Sequence, residues 1–260
     1  MKVRVIKIGG SVLNEPAWLS KFGELAARSS EPLVVVHGGG PDVDALCERL
    51  GLAVERSSGL RITTPETLDV AGMVLSGRLN KRLVRTLLDA GLDAVGMSGE
   101  DGALVVADPA ASGRLGRVGE NPRVRAELLR GLVEQGLVPV LSPISRGSDG
   151  GALNVNADDA AVAVAGALGA SELLFVTDVP AVHDGHRDRP TLDAAEAAAL
   201  VASGVARDGM AVKLAAGLRA LRSGVTAVRI GPVECLADPA AGTWLGRTSG
   251  TSGEKAKEAV

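Results

Sequence analysis

The sequence predicts an α/β protein in which helices cover both faces of a mostly parallel sheet. Three observations carry that reading. Strand-like and helix-like segments alternate along nearly the whole chain, and two glycine clusters fall where a strand hands over to a helix. The third is composition: over 260 residues, 46% apolar and 23% charged side chains are enough to build and enclose a sizeable core.

Taken in order, Val3 to Ile8 is a β-branched run ending in Gly9-Gly10, and Leu33 to Val36 is a short apolar run ending in His37-Gly38-Gly39-Gly40. Further buried strands are expected at Asp93 to Met97, Leu137 to Leu141, Glu172 to Val176 and Thr226 to Ile230. Helical periodicity marks Pro16 to Arg28, Pro41 to Leu50, Pro65 to Ala90, Val124 to Gln135, Ala157 to Leu168, Leu192 to Ala202 and Met210 to Arg222. Leu104 to Ala107 and Leu115 to Val118, rich in nearby Gly and Ser, predict an added antiparallel hairpin.

Several function classes are disfavoured. With 28 basic against 31 acidic residues the net charge is −3, which argues against a nucleic-acid binder. Aromatics are 2% with no Tyr, so base-stacking platforms are nearly excluded. The longest uncharged apolar run, Ala160 to Ala170, is shorter than the roughly 20 residues a membrane span needs. No export signal opens the chain, and Cys47 and Cys235 stand apart without CxxC spacing, so the expectation is a cytoplasmic enzyme with free thiols.

The glycine clusters bring chemistry. Pro41 suits the first turn of a helix, so Gly38 to Gly40 lead into a helix N-terminus. Glycines there let backbone N–H groups approach an anion, although either cluster alone reads equally as a tight turn. Neither GxGxxG opening a helix nor GxxxxGK[ST] occurs, which disfavours dinucleotide dehydrogenases and P-loop proteins.

Only seven of the 28 basic residues are Lys, so Arg supplies the ordinary surface charge. Lys7 and Lys213 each interrupt an apolar segment, and an ammonium is a compact charge suited to a transferring phosphoryl group; the plainer reading is a side chain snorkelling from an element's end. In Leu153-Asn154-Val155-Asn156-Ala157-Asp158-Asp159, Asn156 reads as an N-cap, which leaves Asn154 and Asp158 free to orient a substrate and a lysine. Arg61, after Gly59-Leu60, suits either a bidentate grip on a carboxylate or a surface ion pair.

Taken together, Lys7-Ile8-Gly9-Gly10, His37-Gly38-Gly39-Gly40, Gly59-Leu60-Arg61-Ile62-Thr63, Asn154-Val155-Asn156-Ala157-Asp158 and Asp208-Gly209-Met210-Ala211-Val212-Lys213 resemble the N-acetylglutamate kinases of arginine biosynthesis, in the amino-acid kinase superfamily. The likeness runs in order from about Lys2 to about Arg247 and includes Ser98 to Gly102 and Thr177-Asp178-Val179. It implies a three-layer αβα sandwich around a mainly parallel, about eight-stranded sheet. It also implies an acceptor-binding and dimerisation lobe over residues 1–170, an ATP-binding lobe over 171–247 and a flexible tail over 248–260. By the same resemblance Lys7 and Lys213 steady the transferring phosphoryl group, with Asp158 positioning both. Gly9, Gly10, Gly38 and Gly39 donate backbone N–H groups to phosphate and acceptor, and Arg61 and Asn154 hold the acceptor's α-carboxylate. Thr177, Asp178, Asp208, Gly209 and Met210 border the nucleotide, and Mg²⁺ is held mainly by ATP.

The implied reaction is phosphorylation of the side-chain carboxylate of N-acetyl-L-glutamate by ATP. The same-fold alternatives are a kinase of carrier-bound aminoadipate or glutamate, and a non-catalytic sensor of amino acids or nucleotides. Because the first strand opens at Lys2 or Val3, a homodimer with little feedback by arginine is expected. His183-Asp184-Gly185-His186-Arg187-Asp188 reads as an exposed loop, no metal site being expected there, and Cys47 reads as a packed helix residue.

Overall fold

The computed structural model describes residues 2–57, 59–111 and 113–246, with the backbone alone at Asp208. The tail expected over 248–260 lies outside the described residues.

One sheet of eleven strands runs through the molecule. Its strands are β1 (Arg4–Ile8), β2 (Leu33–His37), β3 (Ala94–Gly99), β4 (Val105–Pro109), β5 (Val118–Val124), β6 (Val138–Gly147), β7 (Ala152–Val155), β8 (Glu172–Val176), β9 (Thr191–Leu192), β10 (Val228–Gly231) and β11 (Thr243–Leu245). Their order is β9-β11-β10-β8-β1-β2-β6-β4-β5-β7, with β3 also on β6. The centre, β2-β1-β8-β10, is parallel throughout, and Lys7 is in register with both Val36 and Phe175. All five residues of β1 are buried, as a strand covered on both faces requires. The strands beyond the expected eight or so are short additions at the edges, chiefly β9 and β11.

Side-chain alternation divides the core into two layers. Val3, Val5, Val34 and Val36 face one layer, shared with α5 (Ala126–Glu134), α6 (Ala157–Leu168), α7 (Ala194–Ala202) and α8 (Asp208–Arg222). Ile6, Ile8, Leu33 and Val35 face the other, shared with α1 (Pro16–Ala27), α2 (Gly40–Arg49), α3 (Pro65–Ala71) and α4 (Asn80–Asp89). The helix expected from Pro65 to Ala90 is continuous but widens into π-helical turns over Gly72–Leu79 between α3 and α4. Such turns often sit beside functional sites.

The added hairpin is present, but its second strand is β5, not Leu115 to Val118. Val-Gly-Glu-Asn-Pro-Arg-Val reads as a turn. Asn121, at φ 51°, and Pro122 are tolerated because β7 pairs only with Val118 and Gly119, and β4's register shifts between Val106 and Asp108. The helix expected to open at Val124 therefore begins at Ala126. Likewise β6 continues past Leu141 and through Pro143, to bond β4 at Arg146 and Gly147.

At the amino ends of the central strands a buried charge cluster closes the sheet. Glu172 of β8 accepts from Arg4 Nε at 2.9 Å and Arg229 Nε at 2.8 Å, and Arg229 stacks 4.3 Å over the Trp244 ring. The carboxyl ends are left to the glycine loops.

Candidate active site

Three loops converge at those carboxyl ends: Gly9-Gly10 after β1, Gly38-Gly39-Gly40 after β2, and Thr177-Asp178 after β8. Gly38 N–H donates to the Ile8 carbonyl at 2.9 Å, tying the first two together. A Cβ on Gly10 would lie 2.6 Å from Gly39 Cα, and one on Gly39 would lie 2.3 Å from Leu79 Cδ1. Only glycine permits this back-to-back approach, and Gly39 also has a φ of 157°. Among the described residues no backbone acceptor takes the N–H of Gly10 or Gly39, so both amides remain available to an anion.

Lys7, at the end of β1, meets Asp158 in the first turn of α6. Lys7 Nζ lies 2.8 Å from Asp158 Oδ1, with side chains only 8% and 9% exposed. The contact is an ion pair whose angle falls short of a hydrogen bond, and Oδ1 accepts from no other described group. Asn156 fixes this turn by accepting from the Asp158 and Asp159 amides at 2.8 and 3.3 Å.

Lys213 joins from the first turns of α8, with Nζ 3.5 Å from the Gly209 carbonyl. Burial pushes its ammonium below the ordinary lysine range, and the charge of Lys7 pushes in the same direction; Asp158 and Asp178 oppose both. Asp178 is exposed and accepts from Thr177 Oγ1 at 3.1 Å. Gly209 is exposed, whereas Met210 is partly buried against the core beneath α8. The side chain of Asp208 lies outside the described residues.

Beside the glycine loops lies a cavity of about 180 Å³, lined by Gly38, Gly39, Arg61, Leu75 and Asn154 among others. Arg61 is held at its wall, paired with Asp44 of α2 and donating Nη2 to the Gly40 carbonyl at 2.9 Å. Burial lowers the Arg61 pKa. Asn154 donates to Thr63 Oγ1 at 3.2 Å. The structure thus gathers Lys7, Lys213 and Asp158 into one charged group, and Gly38, Gly39, Arg61 and Asn154 into one adjoining cavity.

Sequence reasoning passed over Asp44, Arg56 and Thr63. Arg56 also lines the cavity and donates to Asp44 Oδ2 at 2.7 Å, so a single carboxylate holds both guanidinium groups of the hairpin Arg56–Ser57/Leu60–Arg61. The available hint was the polar run around Gly59. The histidine loop is spent on its own turn: Asp184 accepts from the His186 and Arg187 amides, which hold its pKa down to about 2.

The amino acid kinase family model matches residues 2–232. The chain belongs to that family. Similar proteins called acetylglutamate kinase occur in Chloroflexus aurantiacus (43% identical over 231 residues, 88% of this chain and 91% of the relative) and in Geobacillus kaustophilus (44% over 234 residues, 88% and 89%). Among solved structures, the smu.665 protein of Streptococcus mutans UA159 superposes with a TM-score of 0.80 at 26% identity, covering 94% of this chain and 98% of that one. Carbamate kinase from Giardia lamblia bound to AMP-PNP, at 16% identity, shares the fold with a TM-score of 0.72 over 94% of this chain and 98% of its own.

Proposed function

We propose that this chain transfers the γ-phosphoryl group of ATP to the side-chain carboxylate of N-acetyl-L-glutamate, giving N-acetylglutamyl 5-phosphate and ADP, the second step of arginine biosynthesis. The observation that carries the reading is the meeting of Lys7, Asp158 and Lys213 beside a cavity walled by Arg61 and Asn154. The acetylglutamate kinases similar to it over nine-tenths of their length support the same substrate pair.

The chemistry suits the residues. The acceptor carboxylate, with an ordinary pKa of ~4, is ionised at neutral pH, so no general base is required. A carboxylate oxygen forms a bond to the γ-phosphorus while the bond to the β–γ bridging oxygen breaks, and its electron pair leaves with ADP. The obstacle is bringing an anion onto a polyanion, so catalysis rests on positioning and charge. Lys7 and Lys213 steady the equatorial oxygens, and Asp158 keeps the two ammonium groups apart and aimed. The Gly10 and Gly39 amides hold phosphate oxygens, with Gly9 and Gly38 shaping the same loops. Arg61 and Asn154 hold the α-carboxylate. Thr177, Asp178 and the Asp208-Gly209-Met210 turn border the nucleotide. Mg²⁺, carried in by ATP, would add charge neutralisation across the phosphates; among the described residues no group of three or more His, Cys, Asp or Glu is placed to hold a metal ion, and phosphates and water would be its natural ligands.

On this reading residues 1–170 carry the acceptor and 171–247 the nucleotide. A homodimer is proposed as well, on the family resemblance alone. No helix among the described residues is long and apolar enough to cross a membrane, which fits the proposed cytoplasmic setting.

Trapping with hydroxylamine tests the reaction. With ATP and Mg²⁺, hydroxamate is expected from N-acetyl-L-glutamate and from none of glutamate, aspartate, aminoadipate or N-acetylaspartate. A blank in every tube refutes the reading in favour of a carrier-bound acceptor or a sensor.

A further inference from the structure

His37 is the last residue of β2, fully buried, immediately before the glycine loop. Its Nδ1 lies 2.9 Å from the Gly38 carbonyl. A carbonyl only accepts, so Nδ1 must carry the proton. Its Nε2 lies 3.3 Å from Nδ2 of Asn80, the first residue of α4 and also fully buried. That amide cannot be turned round, because the same nitrogen donates one hydrogen to the Val140 carbonyl at 2.8 Å and shares the other between the Met97 carbonyl and His37 Nε2, each at 3.3 Å. Nε2 therefore accepts, and the ring is neutral. Burial and the nearby Lys7 charge also hold the imidazole well below its usual pKa, at about 4.

The consequence lies in the next peptide. A trans peptide is planar, with its C=O and N–H pointing in opposite directions. With the Gly38 carbonyl drawn toward the His37 ring, the Gly39 N–H is turned away from that ring, and Gly39 itself packs against Gly10 and lines the cavity. We propose that the buried His37–Asn80 pair is a positioning device for phosphoryl transfer: Asn80 locks His37 as the Nδ1–H tautomer, and His37 locks the Gly38–Gly39 peptide so that the Gly39 N–H faces the transferring group. This rests on the kinase reading above. Strands β3 and β6 take part through the Met97 and Val140 carbonyls, so the aim of one amide is set by three strands and a helix.

Two measurements test it on the full-length protein. In the wild type, ¹⁵N spectra of the His37 ring at pH 7 should report the neutral Nδ1–H tautomer, identified by its loss in His37→Asn. For the kinetics, His37→Phe keeps a buried ring but has no donor; it should lower kcat roughly 10- to 100-fold per folded site while KM for ATP and for N-acetyl-L-glutamate stays within about threefold. His37→Asn places an amide nitrogen where Nδ1 stood and should recover most of that loss. Asn80→Leu should release the tautomer and lower kcat in the same way. A purely structural role would lower the folded fraction of these variants and leave kcat per folded site unchanged. An Nε2–H tautomer in the wild type overturns the proposal without any variant. An active wild type whose His37→Phe form keeps full kcat per folded site overturns it as well. A wild type that forms no hydroxamate refutes the kinase reading itself.

Discussion

Replacing Lys7 by Met keeps an unbranched side chain one heavy atom shorter and removes its charge, which separates what the Lys7–Asp158 pair does for the fold from what it does for the reaction. At 2.8 Å the two charges attract by ~6 kcal/mol at an effective dielectric of about 20, and desolvation offsets part of that. Breaking a buried pair by deleting one partner costs ~3–5 kcal/mol, because the other charge stays buried and uncompensated. Here that range is an upper limit: Asp158 has a 9% exposed side chain, but the charge of Lys213 still bears on it once Lys7 is gone. Lys7→Met should therefore lose at most ~3–5 kcal/mol in urea unfolding and, separately, on the order of 10²–10³ in kcat as a phosphoryl-facing cation disappears. Adding Asp158→Asn exchanges a buried charge for a neutral amide, whose unmet hydrogen bond costs only ~1–3 kcal/mol, so the double variant should regain at most about 2 kcal/mol. It should regain no activity. Hydroxamate formation per folded molecule reads the second quantity. A double variant that recovers kcat along with stability, or a Lys7→Met enzyme within tenfold of wild type, would refute the catalytic assignment.

The depressed Lys213 ammonium should set an alkaline limb in kcat/KM for ATP below the ordinary lysine value of 10.5, because only the charged form attracts phosphate; Lys213→Arg should remove that limb, and Asp178→Asn should move it lower. For stability the sign is opposite: with its folded pKa lowered, Lys213 costs stability while protonated, and that cost is relieved as pH rises toward 10.5, which pH-dependent urea titrations of wild type and Lys213→Met would reveal. Arg61→Gln should raise KM for the acceptor roughly 10- to 100-fold, as loss of a charged hydrogen bond worth ~1.5–3 kcal/mol implies, with kcat little changed in steady-state assays. Gly39→Ala would drive a Cβ within 2.3 Å of Leu79 and 2.7 Å of Leu75, and calorimetry should find it severely destabilised. Glu172→Gln breaks the remote Arg4–Glu172–Arg229 cluster and should cost ~3–5 kcal/mol in unfolding while KM and kcat per folded molecule stay unchanged.

The central strands were legible because burial on both faces imposes a continuous apolar run, which β2 and β8 display directly. What escaped the pattern is where local chemistry and tertiary pairing conflict. In β5, Gly, Asn and Pro announce a turn, yet the chain stays extended because β4 pairs along most of its length. In β6, Pro143 suggests a stop, but pairing continues on both sides of it with β3 and then β4. The site divided in the same way. Lys7, Lys213 and Asp158 stood out because a charge inside an apolar segment needs a reason. Asp44, Thr63 and Asn80 did not, since each is an ordinary polar residue until its partner arrives from 17, 91 or 60 positions away.

The missing nucleotide fingerprints follow from how the charges are distributed. In a P-loop the helix N-terminus itself faces the phosphates. Here α6 opens with Asp158 and Asp159, so its positive end is already answered by carboxylates of the chain. An incoming polyanion must find its countercharge elsewhere, and Lys7, Lys213 and the unpaired Gly10 and Gly39 amides are what remain. Burial first, and the charge of Lys7 second, lower the Lys213 pKa against the opposing pull of Asp158 and Asp178. Phosphate oxygens act in the opposite sense, raising the Lys213 pKa as they arrive. Binding and transition-state stabilisation are then served by the same two lysines, with the glycine loop that opens α2 supplying the Gly39 amide.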